Sequence, residues 1–265
     1  MSTLCAYVDG VGVIGPGIAD WPAACAILRG ERDRLAAATE LPVPVALPPA
    51  ERRRTGRVVR LALAVGFAAA EQAALALDSC VTVFASSGGD GDNCHEICQV
   101  LASADRQLSP TRFHNSVHNA PAGYWSIASG SRAASTALCA FDASFAAGLL
   151  EATVQLATTG ARVLLMAYDL DYPPPLRAKR AISAPFGVAL ALAATRGPRS
   201  LARLAVGLGD QQATRLPDAR LEALRTTVPA ARSLPLLARL ARREAGTVAL
   251  EYLAPGTLAV EVEPC

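Results

Sequence analysis

Two kinds of apolar run alternate along the chain. Short, uninterrupted, β-branched runs read as buried strands at 4–14, 80–86, 162–168, 186–194 and 201–207. A further pair at 247–253 and 257–263 reads as a terminal hairpin across Ala254-Pro255-Gly256. Longer stretches read as helices at about 20–28 (with Asp20 as N-cap), 51–77, 93–104, 117–129, 143–158, 218–227 and 234–244. Residues 31–50 are proline-rich and irregular, and polar loops are expected around Ser109-Pro110 and over 169–175. Strands that are apolar on both faces, interleaved with apolar helices, predict an α/β protein whose largely parallel or mixed sheet is covered on both sides.

Composition fits that class. With 52% hydrophobic and 18% charged residues over 265 positions, the chain can bury a substantial core. A net charge of +2 provides no global field for nucleic acid or an anionic membrane, so neither is expected as a partner. No apolar run has the length of a membrane span, and the start of the chain does not read as a signal peptide. Seven cysteines, odd in number and scattered through apolar segments, fit reduced thiols and a cytoplasmic location.

Candidate chemistry is sparse. Gly10-Val11-Gly12-Val13-Ile14-Gly15 matches GxGxxG after a strand, but no second strand ending in an acidic residue follows at the required distance. The glycines are therefore read as permitting a tight strand exit, and no cofactor is expected. His114 and His118 in HNSVH have the helical spacing of a zinc pair but lack the Glu that follows the first His in a zincin; Cys94, His95 and Cys98 lie in another segment. No metal site is expected. Cys139 precedes a helical stretch whose dipole favours a thiolate, yet a nucleophile needs a base, and no histidine occurs after His118. Arg52, Arg53, Arg54, Arg57 and Arg60 on one predicted helix are either a docking patch for an acidic protein or a solvated face.

Three stretches together resemble the β-ketoacyl synthases of the thiolase superfamily. VDGVGVIGPGIADWPAACAILRGE (8–31) is similar to their first strand, glycine turn and helix. CVTVFASSGGDGD with LSPTRFHNSVHNAPAGYWSIASGSRAASTALCAFD, within 80–142, resembles the second strand and the approach to the nucleophile elbow. EYLAPGTLAVEVEP (251–264) resembles the closing strand pair. The likeness implies a thiolase-like mixed sheet with a ketosynthase N-terminal-like half at 1–195 and a truncated C-terminal half at 196–265.

The departures bear on activity. The elbow reads TALCAFDAS instead of the family's TACxSG, so anchoring on Thr136-Ala137 puts Cys139 near the nucleophile position, and anchoring on the following strand puts Asp142 there. The family's two histidine motifs, EAHGTGT and KSxxGH, have no counterpart. Losing a single donor to a developing oxyanion typically costs ~10²–10³ in rate. The resemblance thus implies the fold without the condensing chemistry, as in chain-length factors of type II polyketide systems. The tracts 114–128 and 142–152 resemble the compact members associated with aryl polyene and xanthomonadin-type pigments.

A non-catalytic partner of an active β-ketoacyl synthase, working with an acyl carrier protein, is accordingly the leading expectation. The alternatives are an acyl transferase or hydrolase using Cys139 with His114 or His118, and an acyl- or carrier-binding homodimer.

Overall fold

The computed structural model describes residues 3–34 and 36–265. The strands are β1 (Leu4–Ile14), β2 (Val81–Ala85), β3 (Ser135–Leu138), β4 (Val163–Asp169), β5 (Phe186–Ala193), β6 (Ala202–Gly209), β7 (Gly246–Glu251) and β8 (Thr257–Pro264). The helices are α1 (Trp21–Leu28), α2 (Pro49–Arg52), α3 (Arg57–Gln72), α4 (Gly91–Ala102) and α5 (Pro110–His114). They continue as α6 (Ala120–Ser129), α7 (Ser144–Thr159), α8 (Pro174–Arg177), α9 (Ala219–Thr227) and α10 (Leu234–Arg242). Two 3₁₀ turns, Phe141–Ala143 and Pro229–Ser233, precede α7 and α10.

All eight strands form one mixed sheet in the order β3-β2-β4-β5-β1-β6-β8-β7. The β3-β2-β4 part is parallel and the remainder antiparallel. This is the α/β mixed sheet expected from the apolar runs. Alternate side chains of each central strand enter different layers: Val83, Leu165 and Leu190 pack with α1, α7 and α10, whereas Phe84, Leu164 and Met166 pack with α3 and α6. The second layer centres on Trp125, whose ring stacks on Phe67 at 4.7 Å between centroids.

The glycine motif in β1 has a role other than the expected strand exit. A Cβ on Gly10 would run into the Ala69 carbonyl oxygen of α3, and one on Gly12 into the Val65 carbonyl oxygen. The absent side chains let α3 cross directly over β1. Gly17 alone among the residues of this first turn has a left-handed backbone, at φ +70.

The single long helix expected over 51–77 is broken. The α2 turn ends at Arg52, Thr55 returns its hydroxyl to the Arg52 carbonyl at 2.9 Å, and α3 starts after the Gly56 N-cap. The HNSVH tract does not form one helical face either: α5 ends at His114, and α6 begins at Ala120 beyond His118. The strand β3 lies where the sequence reading placed only an approach to the elbow. Its four residues are too short for periodicity to register, and parallel pairing with β2 sets it.

Most of the arginines in this segment are paired within the chain. Arg52 donates to the carbonyls of Val45 and Leu47, Arg54 pairs with Glu51, and Arg57 bridges Asp92 and Asp171. Arg52 thus ties the proline-rich segment to α2, and Arg57 ties α4 and the loop after β4 to α3.

Candidate functional site

The β3–α7 turn gathers the residues singled out in the sequence. Between strand and helix, Phe141 adopts φ +52, the left-handed backbone of a sharp turn, and its side chain is 60% exposed. Cys139 stands two residues before it and Asp142 one residue after. The Ser144 hydroxyl closes the turn, donating to the Phe141 carbonyl at 2.7 Å and accepting from the Ala140 N–H at 3.1 Å.

Cys139 is exposed, and its thiol donates to the Ser87 carbonyl at 3.3 Å. His118 contacts the same strand end, with Nε2 3.0 Å from the Leu138 carbonyl. A carbonyl can only accept, so Nε2 carries the proton in that contact. His114 is the last residue of α5, and among the described residues no hydrogen bond joins Cys139 to either histidine.

Asp142 is paired with two arginines. Arg180, from the β4–β5 connection, reaches one carboxylate oxygen at 2.5 Å while its guanidinium lies 3.8 Å over the Phe141 ring. Arg232, from the 3₁₀ turn before α10, reaches the other oxygen at 3.1 Å and also binds Glu251 of β7 at 2.5 Å. Arg225 of α9 then joins Glu251 to Glu222. Hydrogen bonding from Arg225 holds the Glu222 carboxyl down at about 2. The resulting chain of alternating charges borders a 550 Å³ cleft lined by Phe141, Asp142, Arg232, Glu251, Tyr252 and Leu253.

A second carboxylate organises this region from below. Asp169, the last residue of β4, is buried and accepts from the Ser87 N–H at 2.8 Å, the Ser87 hydroxyl at 2.6 Å and the Ala230 N–H at 2.8 Å. Burial raises its carboxyl to about 6, with the donors from Ser87 and Ala230 acting in the opposite sense. Asp169 thus fixes both the loop that receives the Cys139 thiol and the 3₁₀ turn that delivers Arg232.

Sequence reading singled out Cys139 and Asp142 as candidates but not Asp169, Arg180 or Arg232, which the structure brings to the same turn. One signal for Asp169 was present: it ends the otherwise uncharged run VLLMAYD. The arginines carry no local pattern, because they reach the turn from 38 and 90 positions away.

Among the described residues, no group of three or more His, Cys, Asp or Glu side chains is placed to hold a metal ion. No described helix is long and apolar enough to cross a membrane.

The two outer strands of the sheet differ. The edge of β7 is met at one residue by Thr214, whose N–H donates to the Ala249 carbonyl at 2.8 Å and whose hydroxyl accepts from the Ala249 N–H at 2.9 Å. β3 pairs only with β2, and among the described residues nothing pairs with its outer side. Exposed apolar side chains sit on elements next to β3: Phe141 in the turn after it, Val154 on α7 beside Gln155, whose amide reaches the Thr136 hydroxyl, and Ile127 on α6.

Comparisons with known proteins agree with this architecture. The chain superposes on a chain of a structure described as a ketosynthase (ApeO) in complex with its chain length factor (ApeC) from Xenorhabdus doucetiae, with a TM-score of 0.74 and 22% identity. That match covers 97% of this chain and 99% of the other. A chain of the AntDE:AntF complex, a type II polyketide synthase acyl carrier protein with its ketosynthase bound to the hexaketide, matches at TM-score 0.78 and 12% identity over the whole of both chains. Ketosynthase twelve of the bacillaene synthase from Bacillus amyloliquefaciens matches at TM-score 0.58 and 14% identity, over 84% of this chain but 49% of that one.

A search of curated protein sequences found no match. The family model described as the β-ketoacyl synthase N-terminal domain matches residues 29–251. The mixed thiolase-like sheet and this match over most of the chain place the protein in the β-ketoacyl synthase N-terminal domain family.

Proposed function

We propose that this chain is a non-condensing, chain-length-factor-like subunit that pairs with an active β-ketoacyl synthase in type II polyketide biosynthesis, of the aryl polyene kind. The β3–α7 turn is the observation that carries this reading. A condensing site needs a thiolate with donors aimed at the developing oxyanion. Here the left-handed position holds Phe141, the adjoining carboxylate is bound by Arg180 and Arg232, and the Cys139 thiol faces the Ser87 carbonyl. Charges consumed in mutual pairs have little left to offer a reacting thioester.

The open β3 edge is the surface assigned to the partner. Unpaired N–H and C=O groups at a sheet edge favour addition of another strand, and Phe141, Val154 and Ile127 on the neighbouring elements supply apolar area for burial. A ketosynthase-like partner fits because the structures similar over their full length include a ketosynthase with its chain length factor. An acyl carrier protein enters the reading through the AntDE:AntF complex. The arginines of 52–57 are not assigned to it, since three of the four are held within the chain by Val45, Leu47, Glu51, Asp92 and Asp171.

Co-expression with an active β-ketoacyl synthase of an aryl polyene pathway tests the reading. A stable complex in gel filtration is expected, with no acyl adduct on this chain after exposure to an acyl-carrier thioester. A chain that elutes alone and becomes acylated at Cys139 contradicts it.

A further inference from the structure

We propose that Cys94 and Cys98 form a two-thiolate site for a soft monovalent cation of the Cu(I) class, separate from the β3–α7 turn. Both residues lie on α4, four positions apart, so their side chains stack one above the other on the same face. Both are exposed, against the strong tendency of cysteine to be buried. Neither thiol belongs to a core cluster. Other cysteines of the chain are engaged differently. Cys80 is buried against the Val81 and Arg162 carbonyls, Cys5 accepts from Arg203, and Cys139 donates to Ser87.

The geometry selects the ligand class. Zinc requires about four ligands, and no third His, Cys, Asp or Glu among the described residues completes a cluster here. A disulfide requires Cβ atoms about 3.8 Å apart, whereas positions four apart on a helix hold them about 5–6 Å apart. Closing that bond would unwind α4. Two metal–sulfur bonds of roughly 2.3 Å each, the length of a zinc–thiolate bond, set the sulfurs about 4.6 Å apart, which Cβ atoms about 5–6 Å apart allow with the helix intact. Soft thiolates favour Cu(I), which is satisfied by two of them. On binding, both thiols lose their protons to solvent and two sulfur–copper bonds form, with no change of oxidation state.

The test is anaerobic titration of the full chain with Cu(I) delivered from a weak coloured chelator. The expected result is removal of about one Cu(I) per chain from the chelator. Cys94→Ala and Cys98→Ala, which preserve helix propensity, should each weaken uptake by ~10²-fold through loss of the two-point attachment. Cys139→Ser, removing the other exposed thiol, should leave uptake unchanged. No competition with the chelator, or uptake that survives both alanine variants, overturns the proposal. Uptake lost in Cys139→Ser overturns it as well. Circular dichroism of each variant confirms that α4 remains folded.

Discussion

The Arg232 guanidinium lies 3.1 Å from the Asp142 carboxylate, linking the 3₁₀ turn before α10 to the turn before α7. With Glu251 on its other side, Arg232 is the central cation of a ladder drawn from five separate segments. Its side chain is 18% exposed, against 38% for Asp142 and 31% for Glu251, so solvent screens the pairs only in part. Arg232→Ala should therefore cost more than the ~0.5 kcal/mol of an exposed pair and less than the ~3–5 kcal/mol of breaking a fully buried one. A double-mutant cycle with Asp142→Asn in urea melts measures the coupling. A coupling energy of zero would show that the ladder is not a unit.

Asp169 makes stability depend on pH. Its folded carboxyl is raised to about 6 by burial, above the about 3.9 of an unfolded chain. For an acid raised on folding, the associated stability is present below the unfolded value and is lost as pH rises through the folded one. The group's contribution should fall between about pH 4 and 6, by on the order of 3 kcal/mol. Denaturant melts of the wild type and of Asp169→Asn across that window check this. The variant's stability should lack this component of the pH slope, and identical slopes would refute the assignment.

Gly12→Ala should destabilise the protein without touching the β3–α7 turn. Its Cβ would meet the Val65 carbonyl oxygen and carbon, both main-chain atoms of α3, so helix and sheet must separate. Overpacking of this kind typically costs about 1–3 kcal/mol. Gly207→Ala, where a Cβ meets nothing within 4 Å, is the control. Equal melting temperatures for the two variants would contradict the close α3–β1 crossing.

Ala137→Pro isolates the open edge. The Ala134 and Leu138 carbonyls accept from Thr82 of β2 and from Ser86 just after it, so by alternation the Ala137 N–H points outward. Proline removes that donor while leaving the ladder to β2 intact. The variant should keep the wild-type circular dichroism spectrum and lose at least ~10-fold in affinity for the ketosynthase partner. Unchanged affinity would place the interface elsewhere.

Much of the layered fold was legible because apolar runs record burial on both faces. β1 spans Leu4–Ile14 as read, and the hairpin, β4, β5 and α7 lie within a residue or two of expectation. Periodicity fails where structure is set at a distance. The strand β3 is defined by pairing to β2, and the α2–α3 break by Thr55 and Gly56. The turn was legible only in part for the same reason: Cys139 and Asp142 are local, whereas Arg180, Arg232 and Asp169 acquire meaning only once the sheet brings them together. The glycines of β1 were visible but misread, since nothing in the sequence says that α3 crosses there.

Native mass spectrometry of the co-expressed pair, after incubation with an acyl-carrier thioester, tests the central claim most directly. The account predicts a complex of this chain with the active β-ketoacyl synthase in which only the synthase carries the acyl group. An acyl group on Cys139 of this chain, lost in Cys139→Ala, would contradict it.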